Sequence, residues 1–201
     1  MPSHTSKGFA NLQNGDCLPH ALGLATQYLL NRKVTRDAEH ISLASQLRVL
    51  LHRHINDHWL EEPGLGPAMA WSQIVTLAHN TSVSEQERAQ FGEWGSDAEQ
   101  QRMRWHAERD GMYCGLPELL AFVECLRLAR VHTSLRVWRQ VRGVLQLSTR
   151  VPEPAVEQTP SGRFVVLDLQ LTGELDSANA HYKLLQAGSL RDGVPKKRKR
   201  S

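Results

Sequence analysis

The chain has 201 residues, 40% of them hydrophobic, which suits one domain able to bury a core without disulfide or metal staples. Five of its positive charges are Lys196, Lys197, Arg198, Lys199 and Arg200, so a formal +3 less five leaves −2 on the rest, and the basic pI of about 8.9 belongs to the tail and not to a nucleic-acid-binding face. Three cysteines, Cys17, Cys114 and Cys125, without C-x-x-C spacing argue against a zinc site and a secreted disulfide framework, and no apolar run approaches the roughly 20 residues that cross a bilayer.

In chain order, "CLPHALGLATQYLLN" (17–31) places Leu18, Ala21, Leu22, Ala25, Tyr28 and Leu29 at helical spacing, with Pro19 tolerated in the first turn. A second helix is predicted from about Thr35, a good N-cap, with Ile41, Leu43, Leu47, Leu50, Leu51 and Ile55 as its apolar stripe, until "EEPGLGP" breaks it. "AMAWSQIVTLAHN" reads as a third helix, and the polar stretch after it as helix interrupted at Gly92 to Gly95. "LPELLAFVECLRLAR" (116–130) opens with Pro near its first turn and is the clearest helix of the second half.

Beyond it, "VHTSLRVW", "VRGVLQLST", "RFVVLDLQL" and "AHYKLLQ" are β-branched or alternating runs separated by turn residues. Helices first and strands later predict an α+β domain over 1–190. "RVPEPAVEQTPSGR", with Pro152, Pro154 and Pro160, reads as an exposed loop, and 191–201 as a disordered basic tail.

The chemistry starts at "NLQNGDCLPHALGLA". A cysteine at a helix N-terminus gains thiolate character because unpaired backbone N–H groups and the helix dipole favour negative charge. Gly15 lets the chain turn tightly, so that the N–H groups of Gly15, Asp16 and Cys17 could converge on an oxyanion. Local sequence is equally compatible with Cys17 as a small buried residue and Asp16 as a helix cap.

A cysteine nucleophile needs a histidine, and the chain has ten. Among His52, His54 and His58, positions 54 and 58 share a helical face, but no matching cysteine or carboxylate pattern lies nearby, so they read as a solvated helix face and no metal is expected. His20 follows Cys17 on the same helix and reads as packing. His181 opens a late strand, a rigid place to hold a general base.

"NGDCLPHAL" resembles the cysteine signature of the ovarian tumour (OTU) family of deubiquitinases, and "AHYKLL" resembles that family's His-Tyr motif. Between them, "MYCGLPELLAFVECLRLARVHTSLRVW" is similar to its aromatic-Gly-Gly segment, following helix and strand, so the three landmarks run from about Asn14 to Leu185. The resemblance implies a papain-like α+β fold, with the cysteine heading a central helix packed on a small β-sheet flanked by helices. It also implies thiol-protease, isopeptidase chemistry at the C-terminus of ubiquitin or a ubiquitin-like protein, without a cofactor. Carried over by position, Cys17 is the nucleophile and His181 its base.

Two positions depart from the family pattern: Asn14 where it commonly has Asp, and Lys183 where it often has Asn or Asp. Asn14 is the first choice for the residue that orients His181, with Asn179 and Asp168 as alternatives. The departures give a second reading, a catalytically weak ubiquitin-binding module, and a third is a processing cysteine protease of viral or transposon type. Cys114 reads as a structural substitution and Cys125 as core.

Ubiquitin or polyubiquitin is the expected partner, with no nucleic acid, no membrane and a monomeric chain. Its basic tail calls for acidic residues beside Cys17, for which Glu118, Glu124 and Glu174 are available. The expected compartment is intracellular and reducing, and the basic run at 196–200 suits a nuclear localisation signal, including in a host cell.

Overall fold

The computed structural model describes residues 17–31, 38–65, 68–82, 97–108, 114–151, 163–172 and 181–189. Among these, five helices precede four strands: α1 (Cys17–Asn31), α2 (Ala38–Asp57), α3 (Trp71–Ser82), α4 (Ala98–Glu108), α5 (Leu116–Leu128), β1 (Val131–Val141), β2 (Val144–Val151), β3 (Arg163–Thr172) and β4 (His181–Ser189). The expected α+β class is observed. Thr35, the Gly92–Gly95 turn, the proline-rich loop and the basic tail lie outside the described residues.

The sheet has the order β2-β1-β3-β4 and is mixed, with β1 antiparallel to β2, parallel to β3, and β3 antiparallel to β4. β1 and β2 join through Arg142 and Gly143, whose φ angles of 50° and 83° give the type I′ turn that matches strand twist. β3, "RFVVLDLQLT", is central, and Val165, Leu167, Leu169 and Leu171 are fully or nearly fully buried. These are alternate positions, so one face of the strand enters the core, while Asp168 and Gln170 interrupt the apolar run.

α1 lies between α2 and β4. Leu18, Ala21, Leu22, Ala25 and Leu29 bury the face that the helical period predicts, joining Leu51, Ile55, Trp71, Val75, Phe122, Leu135 and Leu167 in one core. Behind α2, Trp59 donates its indole N–H to the Ala98 carbonyl at 2.7 Å, tying the end of α2 to the start of α4. α5 starts after Gly115, whose N–H donates to Glu118 Oε2 at 2.6 Å, so the helix satisfies a donor just before its own first turn with the carboxylate of its third residue.

Candidate active site

Cys17 is the first residue of α1 and is only 7% exposed. The first-turn N–H groups of a helix have no intrahelical acceptor, and Pro19 sits there without breaking a bond because that turn has none to lose. The placement supplies a local field that favours thiolate.

α1 packs against β4, so the strand that His181 opens runs beside the helix that Cys17 opens. His181 pairs with Thr172 of β3, and the Thr172 hydroxyl donates to the His181 carbonyl at 3.2 Å, fixing the start of the strand. Along β4 the faces alternate: Tyr182 and Leu184 pack on the core, while His181, Lys183 and Leu185 are exposed. On that buried face, Tyr182 lies within electrostatic range of Cys17. Burial pushes its phenol well above the usual tyrosine range, reinforced by the negative charge that Cys17, Glu118 and Cys114 carry when ionised.

No family model matches the sequence, and no curated protein matches it. The fold is similar to that of the OTU domain of OTUD1. The similarity covers 88% of this chain and 82% of that one, at 18% sequence identity and a TM-score of 0.43. It describes the course of the backbone and assigns no activity to the OTU-like motifs of this sequence.

The other sequence-assigned residues fall into three groups. Asn14, Gly15, Asp16, Asn179 and Glu174 lie outside the described residues. Asp168 is committed elsewhere: its Oδ1 accepts from Arg136 Nε and Trp138 Nε1, and its Oδ2 from Arg136 Nη2, all at 2.7 Å. It also sits four residues before Thr172, so about 13 Å of strand separates its position from that of His181, too far to orient that imidazole. His20 lies on α1 as expected.

The third group corrects the reading of two segments. The α2 histidines do not form a solvated face, because α5 covers them: His52 is 2% exposed, and the His54 side chain is 9% exposed with Nε2 at 3.5 Å from Glu124 Oε2. Hydrogen bonding to Cys125, then to Glu124, raises the His54 pKa from 6.5 to about 9, against the opposing effect of burial. Glu118 and Glu124, offered by the sequence for a basic substrate tail, are buried at 2% and 8% exposure. Glu124 accepts from the Gly64 N–H at 3.0 Å and faces His54, and Glu118 accepts from Gly115 and faces His52. Burial without these partners would be prohibitive for a carboxylate. Cys114 is buried as a structural residue would be, while Cys125 is half-buried at the core's margin.

The sequence missed the convergence of His52, Cys114 and Glu118, whose ligand atoms all lie within 4.8 Å of one another. No local spacing announced it, because His52 stands 62 residues before Cys114 in the chain.

Proposed function

We propose that the chain is a cysteine isopeptidase of the deubiquitinase type, acting on ubiquitin or polyubiquitin with Cys17 as nucleophile and His181 as base. The observation that carries this reading is the meeting of two motif segments 164 residues apart: α1, opened by the Cys17 of "NGDCLPHAL", packs on β4, opened by the His181 of "AHYKLL". Helix dipole and first-turn N–H groups favour the thiolate.

In this mechanism His181 takes the Cys17 proton, and the thiolate attacks the carbonyl carbon at the ubiquitin C-terminus. The N–H groups of the Gly15–Cys17 loop stabilise the oxyanion as the C–S bond forms. Collapse breaks the C–N bond, and the proton held by His181 passes to the departing lysine amine. His181 then deprotonates a water that attacks the thioester, releasing the carboxylate and restoring the thiol. Asn14 is assigned the orienting role, holding one imidazole tautomer by hydrogen bonding.

Ubiquitin carrying a C-terminal electrophile tests the proposal. A single covalent adduct is expected on the wild type and none on Cys17→Ala, with labelling of His181→Ala slowed by about 10²- to 10⁴-fold. Labelling that survives Cys17→Ala rejects the assignment.

The second reading, a ubiquitin-binding module with weak catalysis, is favoured by one observation: His181 is exposed at the start of β4, while its neighbour Tyr182 packs on the core. It predicts ubiquitin binding without adduct formation or chain cleavage.

A further inference from the structure

We propose that His52, Cys114 and Glu118 form a zinc-binding site that clamps α2 to the head of α5. Three kinds of donor converge there from two stretches of chain: an imidazole from the buried face of α2, and, from the head of α5, a thiol two residues before it and a carboxylate in its first turn. All three residues are buried, at 2%, 5% and 2% exposure.

The geometry fits a shared ion better than a hydrogen-bonded cluster. His52 Nε2 is buried without a hydrogen-bond partner although it lies 3.4 Å from Glu118 Oε1. Two nitrogen and oxygen donors about 2.1 Å from one zinc ion, at a tetrahedral angle, stand about 3.4 Å apart. The imidazole is thus at the separation that co-ligation requires, and its Nε2 makes no hydrogen bond among the described residues.

The surroundings orient both groups as metal ligands are oriented. Gly115 N–H holds Glu118 Oε2 at 2.6 Å, which turns Oε1 toward His52, and the edge of the His52 ring meets Trp105 with centroids 4.8 Å apart and planes at 63°. Charge closes as well: thiolate and carboxylate supply two negative charges, imidazole none, and a divalent ion makes the buried complex neutral. The same trio could suggest a Cys-His-Glu hydrolytic triad, but a thiol and imidazole this deeply buried offer a substrate no approach. Three protein ligands leave a fourth tetrahedral position.

The clamp and the isopeptidase reading are independent, since Cys17 is not among its ligands. The full-length chain, purified with zinc, is expected to retain one equivalent after gel filtration. X-ray absorption at the zinc edge should show a single sulfur at about 2.3 Å with nitrogen and oxygen at about 2.0–2.2 Å. Cobalt(II) titration of the metal-free chain should give a thiolate charge-transfer band that Cys17→Ser and Cys125→Ser keep and Cys114→Ser loses. His52→Ala and Glu118→Gln should weaken zinc affinity by more than the roughly 10- to 100-fold cost of losing an outer-shell partner. Wild-type protein that holds no stoichiometric zinc, a shell with no sulfur or several, or a band carried by Cys17 or Cys125 overturns the site. The absorption measurement on unaltered protein keeps the test decisive even if a variant fails to fold.

Discussion

One residue decides how strong the proposed chemistry is. Asn14 stands where a carboxylate would stabilise imidazolium, and an amide there can only fix the tautomer. Asn14→Asp should therefore raise kcat on a ubiquitin-fluorophore substrate by at least about tenfold, because the reverse change in a serine protease triad costs up to about 10⁴. Asp168, once a candidate for the same role, is bound by Arg136 and Trp138. Burial alone would raise its pKa, but the hydrogen bonds from Arg136 and Trp138 outweigh that and hold it below the usual carboxylate value. Its folded pKa is thus depressed, so its contribution is present above the unfolded value of about 3.8 and is lost as pH falls through the lower folded one. Asp168→Asn should cost about 1.5–3 kcal/mol in urea unfolding at pH 7, narrow that deficit below pH 4, and leave kcat unchanged. Cys17 and His181 were legible as residues because their motifs are local. The commitments of Asp168, Glu118 and Glu124 were not, since each partner comes from another element.

At the scale of elements, α2 and α5 show where pattern reading succeeds and where it stops. The 3.6-residue spacing found α1, α2 and α5 with nearly their observed bounds, and alternation found all four strands, because burial on one face writes itself into neighbouring positions. The second, polar contact face of α2 left no such trace: histidines and glutamates look the same in sequence whether water or another helix covers them. Glu124 is the joint of that interface, meeting His54, Arg127 and the Gly64 N–H. Glu124→Gln should cost about 1–3 kcal/mol by urea denaturation, whereas Glu99→Gln, at a side chain 71% exposed, should stay within about 0.5 kcal/mol. Equal effects of the two would show that the α2–α5 joint contributes nothing.

For the molecule as a whole, the sheet is organised around β3, which the sequence announced by its alternating apolar residues but could not seat between β1 and β4, because strand order depends on pairings between distant segments. Leu167→Ala at the centre of that strand should cost about 2–5 kcal/mol and shift the urea midpoint without changing the transition's slope. The packing of α1 on β4 also has a consequence in time. During synthesis Cys17 leaves the ribosome 164 residues before His181, so α1 must wait for almost the whole domain before the strand that covers it exists. Until then Leu18 and Leu22 lack their final surroundings and the thiol lacks its proposed base, which makes the proposed chemistry inseparable from completion of the fold: a ribosome stalled before β4 would display the cysteine signature without the strand that the proposal requires.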